Sequence, residues 1–228
     1  MKVLALETAT LAGSIAVVDD VEGMIGEVGI NVKIAHAERL MPAIEWLLNA
    51  CNISIKEIDV FAISIGPGSF TGLRIGLTTV KGFAFAANKP IVPVPTLDAF
   101  ALTMPFSRHL VCPMLDARKN EVYAALYKWE NNSCTKIMPE ISTKPEDLLE
   151  KISEPVIFTG DGSKIYKDLI LDTLKSKAFF APLSNMSPSA STVAEIAIQK
   201  TGQGSTADPV SLVPFYIRKS EAEIRWKG

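Results

Sequence analysis

The feature that most constrains the fold of this chain is an order of elements that occurs twice. Strand-like runs of apolar and β-branched residues lie at Val3–Leu6, Ser14–Val18 and Met24–Ile30, the last two joined by the turn DDVEG. A helical pattern follows at about Ala37–Cys51, a strand at Asp59–Ile65, a helix at about Ser69–Asn88, a strand at Ile91–Val94 and a helix from Leu97. After the linker-like TMPFSRH the order restarts, with strands at Leu110–Leu115, Glu121–Trp129 and Thr135–Ile141. A helix opens after Thr143-Lys144-Pro145-Glu146, with proline in the first turn, where its missing N–H costs nothing. A strand at Val156–Thr159, a helix at Lys164–Ser176, a short strand at Ala178–Phe180 and a helix from Ser189 to about Lys200 complete the second copy. Two copies of β-β-β-α-β-α-β-α predict two domains, 1–104 and 105–228, each a mixed sheet with helices on its faces.

This order is similar to the ribonuclease-H-like domains of the actin, Hsp70 and sugar-kinase group, whose members grip nucleotide phosphates with one D-x-G-T hairpin per domain. The likeness is one of fold, not of chemistry. Each copy here has an acid just past its first strand, Glu7 in LALETAT and Asp116 in LDARKNEVY. Phosphate-gripping hairpins need glycine so that backbone N–H groups approach the anion closely. Ala9 stands where the first hairpin needs it, and Arg118, Lys119 and Asn120 occupy the tip of the second. The bland role for both acids, capping a neighbouring turn, is the better reading. The turn Gly160-Asp161-Gly162 is a weaker candidate for lining an adenosine and reads best as a turn.

SIGPGSFTGLRIGL also looks like a phosphate loop, because strand, glycine turn and helix N-terminus make an anion site. Five residues separate Gly66 from Gly72, with Leu73 where a Walker lysine belongs, and Thr71 replaces the third glycine of a dinucleotide fingerprint. Gly66, Pro67 and Gly68 therefore read as a turn, and Gly72 and Gly76 as residues that thin a helix face. No cofactor is expected. The only histidines are His36 and His109, and Cys51, Cys112 and Cys134 form no cluster, so neither a metal site nor a Ser-His-Asp constellation can be assembled. The formal charge of −2 lacks the basic stripe of a nucleic-acid binder. No apolar run nears the ~18 residues of a membrane span, and Glu7 interrupts the N-terminus too early for a signal peptide. A cytoplasmic chain is expected.

The two long helices of the first copy say more. On a helical wheel Leu40, Ile44, Leu47 and Cys51 form a stripe that Met41 and Leu48 widen on one side and Ala43, Ala50 and Trp46 on the other. The apolar arc spans roughly 200°, against the ~100° that covering a sheet requires. Pro42 inside this pattern predicts a start near Arg39 or a kink. The next helix is apolar nearly all round: Leu73, Leu77, Val80 and Ala84 make one face, and Gly72, Gly76 and Thr79 another, with Phe83 beside them. Small residues at this spacing admit a second backbone, either the chain's own or a partner's.

LALETAT, HAERLMPAIEWLL, SIGPGSFTGLRIGLTTVKGFAFA, VPTLDAFA, LDARKNEVYAALY, the GDG turn and VPFYIR, in this order, resemble the bacterial TsaB (YeaZ) family of tRNA threonylcarbamoyladenosine biosynthesis proteins over essentially the whole chain. The resemblance implies a non-catalytic platform subunit. It would pair with a TsaD-like catalytic subunit through the helical face of its first domain, work with a TsaE-like ATPase, and touch tRNA only indirectly. TsaD carries a metal-binding H-x-x-x-H pair where this chain has Thr96 and Phe100. Glu7 departs from the aspartate of many members. The implied interface comprises Met41, Trp46, Leu48, Gly72, Ile75, Gly76, Thr79 and Phe83, and it would also allow a homodimer when the chain is alone. The alternative is an ATP-binding phosphotransferase or ATPase of the actin-like fold, which would need nucleotide binding by the isolated chain and Asp116.

Overall fold

The computed structural model describes residues 1–31 and 36–218, and only the backbone of 36 and 37. Two five-stranded sheets form, and they have the same plan. In the first, β1 (Lys2–Glu7), β2 (Gly13–Asp19), β3 (Gly23–Ile30), β4 (Val60–Gly66) and β5 (Ile91–Pro95) lie in the order β3-β2-β1-β4-β5. The first three are antiparallel neighbours joined by tight turns, whereas β4 and β5 add parallel to β1. Each parallel addition needs a crossover, which the long helices supply. The crossovers are α1 (His36–Ala50) and α2 (Phe70–Ala87), followed after β5 by α3 (Thr96–Leu102).

The second sheet has β6 (Leu110–Arg118), β7 (Glu121–Glu130), β8 (Ser133–Thr143), β9 (Val156–Thr159) and β10 (Ala178–Phe180), in the order β10-β9-β6-β7-β8. Again the first three are antiparallel and the last two parallel. The doubled order read from the sequence is thus a doubled sheet, and the mixed α/β architecture is the expected one. The helices of this half are α4 (Pro145–Leu149), α5 (Asp161–Ile165) and α6 (Lys167–Leu174); α7 (Ala190–Gly202) follows. No described helix is long and apolar enough to cross a membrane.

Three expectations change. The predicted helix 164–176 is two short helices, because Tyr166 at their junction leaves helical geometry (φ −102°, ψ 22°). Helix α1 begins before Arg39 and runs past Pro42, which sits on the exposed side, where solvent can meet the carbonyl that proline leaves without a donor. The third change concerns the domain boundary. The chain divides into one unit of Met1–Ala99 with Pro188–Pro214 and another of Phe100–Ser187 with Phe215–Gly228, not at residue 104. Helix α7, last in the second copy by sequence, belongs to the first unit. Its N-terminus is held there by Glu27 of β3, whose Oε1 accepts the Ser189 hydroxyl (2.8 Å) and the Ser191 N–H (3.2 Å) while Oε2 accepts the Ser191 hydroxyl (3.0 Å). A carboxylate at a helix N-terminus meets its free donors and its positive dipole end.

The first unit's core joins Leu4, Leu6, Val17, Phe61 and Ile63 of the sheet to Leu40, Ile44 and Leu47 of α1 and Leu77, Val80 and Ala84 of α2. The second joins Cys112, Met114, Leu126 and Phe158 to Leu148 of α4 and Ile170 and Leu174 of α6.

Candidate partner-binding face

Strand β4 ends at Gly66, and Ser69 starts α2 as its N-cap, accepting the Gly72 N–H at 3.3 Å. An anion would seek the donors here, but the chain's own ETAT turn sits against them. Ser69 N–H donates to the Ala9 carbonyl at 2.7 Å, and the Thr8 hydroxyl donates to the Gly72 carbonyl at 2.9 Å. Gly68, at φ +159° an extended residue, has no room for a Cβ because the Ala9 carbonyl fills that space. Gly76 has none because Thr8 Oγ1 and Ile63 Cδ1 do. The phosphate-loop look of SIGPGSFTGLRIGL is therefore a strand–helix joint closed by the turn after β1.

Glu7 sits beneath this joint and is fully buried. Its Oε1 accepts the Ala9 N–H at 2.5 Å, so it caps its own turn. Asp116 does the same in the second unit, where its Oδ1 accepts the Arg118 N–H at 2.8 Å. Arg118, Lys119 and Asn120 all lie in the left-handed region (φ 63°, 55° and 58°), forming the tip of that hairpin. Arg118 also pairs with Asp116 Oδ2 at 3.2 Å, and Asp161 Oδ1 accepts the Asp116 N–H at 3.0 Å. Burial raises the Asp161 pKa from its ordinary value, against the opposing backbone hydrogen bonds. The glycines on either side of Asp161 give the backbone close approach to β6. A Cβ on Gly160 would lie 2.5 Å from the Met114 carbonyl oxygen, and one on Gly162 2.9 Å from it. Among the described residues, no group of three or more His, Cys, Asp and Glu side chains is placed to hold a metal.

The remaining feature is the outer surface of α1 and α2. Of the eight residues singled out in the sequence, Met41 (50 % exposed) and Trp46 (62 %) project from α1. Ile75, Thr79 and Phe83 are half-buried on α2, where Phe83 stacks on Phe61 at 5.9 Å and the Thr79 hydroxyl bonds back to the Ile75 carbonyl. Leu48, Gly72 and Gly76 are buried within the unit itself. The glycine face of α2 thus meets the chain's own β1 and β4 and is not open to a partner. The structure brings Met41, Leu48 and Phe83 together along an open groove of about 480 Å³, completed by Pro42, Ile53 and Ile55.

Sequence reasoning missed Phe85, which is 86 % exposed. It also missed Gly82, beside which a Cβ would meet nothing within 4 Å. A signal was present. Phe83 and Phe85 are two residues apart, about 200° on a helix of 3.6 residues per turn, so they cannot both face one core. An exposed Phe, Trp and Met on one pair of helices, with the Met lining an apolar groove, is the kind of surface that partners cover.

The family model for TsaD, tRNA N6-adenosine threonylcarbamoyltransferase, matches residues 21–226. The chain is 33 % identical to the tRNA threonylcarbamoyladenosine biosynthesis protein TsaB of Bacillus subtilis, over 99 % of this chain and 98 % of that protein. Among solved structures, YeaZ from Pseudomonas aeruginosa superposes with a TM-score of 0.79 at 26 % identity, covering 94 % of this chain and 99 % of that one. The activator of 2-hydroxyisocaproyl-CoA dehydratase from Clostridium difficile, solved with bound ADPNP, superposes with a TM-score of 0.54 over 91 % of this chain and 99 % of that one. At 9 % identity this is a likeness of fold alone.

Proposed function

The chain belongs to the TsaB (YeaZ) family of tRNA threonylcarbamoyladenosine biosynthesis proteins, and from that premise we propose that it is the non-catalytic platform subunit of the pathway's transferase. The α1–α2 face docks on a TsaD-like catalytic subunit, a TsaE-like ATPase works with the pair, and tRNA is held mainly by those partners. All of this takes place in the cytoplasm. The observation that carries the reading is a contrast within one helix. The N-terminal turn of α2, which has the strand–turn–helix form of an anion site, is closed by Thr8 and Ala9. Further along the same helix, Phe83 lines an apolar groove with Met41 and Leu48 of α1, and Phe85 stands in solvent.

Burying an exposed aromatic side chain is worth about 2–3 kcal/mol, so Phe85, Trp46 and Met41 together can anchor a specific interface. The family model of the catalytic relative spans most of this chain, which supports a partner built on the same plan. Without that partner the same face can pair with a second copy.

Size-exclusion chromatography with light scattering, on the protein alone and mixed with the TsaD-like subunit of the same organism, tests the proposal. A mixed complex that is lost on Phe85→Asp or Met41→Asp, in variants that still unfold cooperatively, supports it. Absence of any mixed complex, or tight nucleotide binding by the isolated chain that Asp116→Ala abolishes, overturns it in favour of an ATPase.

A further inference from the structure

Glu7 has no part in the partner-binding face, yet among the described residues it is the one acid that is fully buried. In the parallel pairing of β1 with β4, Leu6 lies opposite Ile63, which sets Glu7 beside Ser64, also fully buried. Glu7 Oε1 is used by the Ala9 N–H. Glu7 Oε2 and Ser64 Oγ are both buried without a partner in hydrogen-bond geometry. The Ser64 hydroxyl is placed to donate to this carboxyl, but an ionised carboxylate with no cation beside it is costly to bury, whereas a protonated one buries no charge.

Charged groups on the surrounding elements are engaged elsewhere. Asp19 of β2 meets the N-terminal amine at the other end of β1. Arg39 of α1 donates to the Leu11 carbonyl, Lys81 of α2 to Val210, and Lys200 of α7 to Pro93. Arg74 of α2 is exposed. On α7, Glu195 responds to its own burial and to Glu27 of β3, which is spent on capping that helix. Strand β4 brings only Ser64, and β2 sets Ser14 opposite Glu7.

The turn that Glu7 caps is the seat of α2. Ala9, which donates to Glu7, accepts from Ser69, and Thr8 holds Gly72. We propose that Glu7 is a proton-linked latch under α2: its buried carboxyl carries a proton in the folded chain under mildly acidic conditions, and loss of that proton leaves a buried charge that weakens the seat of the helix. Burial pushes the Glu7 pKa up to about 7, against the smaller opposing pulls of Ser64 and the Ala9 N–H. The folded chain therefore holds a proton that the unfolded chain releases. Stability from this group is fully present below the ordinary glutamate range, is lost as pH rises towards 7, and levels off above.

The test is carboxyl-carbon NMR of the full chain labelled at glutamate, with urea unfolding of wild type and Glu7→Gln from pH 5 to 8. The expected result is a Glu7 resonance that titrates near 7. The wild-type folding constant should also fall on the order of a hundredfold relative to Glu7→Gln between pH 5 and 7.5. Amide exchange at Gly72 and Leu73 should speed up over the same interval beyond the intrinsic pH effect, in wild type only. A midpoint in the ordinary glutamate range, or parallel stability curves for the two proteins, overturns the proposal. Should Glu7→Gln fail to fold, Ser64→Ala serves instead. Removing the hydroxyl that lowers the Glu7 pKa must move the NMR midpoint further up, and an unmoved midpoint overturns the pairing.

Discussion

The Thr8 hydroxyl donates to the Gly72 carbonyl at 2.9 Å, and its oxygen occupies the space that a Cβ on Gly76 would need. One side chain from the turn after β1 thereby holds the first turn of α2 and explains its Gly76. It also sets which face of that helix is inside.

Gly76→Ala should accordingly destabilise the protein, by about 1–3 kcal/mol, as overpacking of a tight contact does. Gly82→Ala, on the same helix but with nothing within 4 Å of its Cβ, should stabilise it by about 0.5–1 kcal/mol through helix propensity. Urea unfolding of the two variants measures both signs. Equal effects would mean that the helix presents its faces differently.

Leu48 and Phe85 should separate folding from docking. Leu48→Ala removes a buried side chain (9 % exposed) from the first unit's core and should cost about 2–3 kcal/mol. Phe85→Asp should leave stability within about 0.5 kcal/mol of wild type, as for most surface changes. Light scattering of Phe85→Asp should nonetheless show that association is lost. A thermal melt of each variant beside its elution profile is sufficient to decide.

In the second unit Gly160 has φ +94° and lies against the Met114 carbonyl, so an alanine there meets both backbone strain and a clash. Gly160→Ala should cost about 2 kcal/mol or more, read by chemical denaturation. A neutral outcome would reopen the GDG turn as something other than a packing turn.

Glu27→Ala should loosen α7, because it leaves the Ser189 and Ser191 donors at that helix N-terminus without their carboxylate. A loss of about 1–2 kcal/mol is expected, as for an N-cap. Amide exchange should quicken in α7 ahead of the central strands. Glu27→Gln should keep part of the effect, since its amide oxygen still accepts while the favourable charge is gone.

Local chemistry was enough to read the order of strands along the chain in both halves, though not their order across each sheet. Apolar runs, glycine and Asx turns, and the helix start at Ser69 depend on residues within a few positions of one another, and the fold kept all of them. The same holds for Glu7 and Asp116 as turn caps, since each accepts an N–H two residues ahead.

Tertiary structure alone decided the rest. A helical wheel ranks the faces of α2 against each other, but it cannot say which one meets the sheet when nearly all are apolar. Thr8, 64 residues from Gly72 along the chain, settled that by taking the glycine face and leaving Phe85 outside. Helix α7 was assigned to the wrong unit for a related reason. Its sequence fixes an apolar stripe, whereas Glu27, 162 residues from Ser189, supplies the carboxylate that holds its N-terminus. Burial of Glu7 likewise follows from the strand laid beside it, and not from the residues next to it in the chain. Periodicity belongs to an element, but the choice of what covers each face belongs to contacts between elements far apart in sequence.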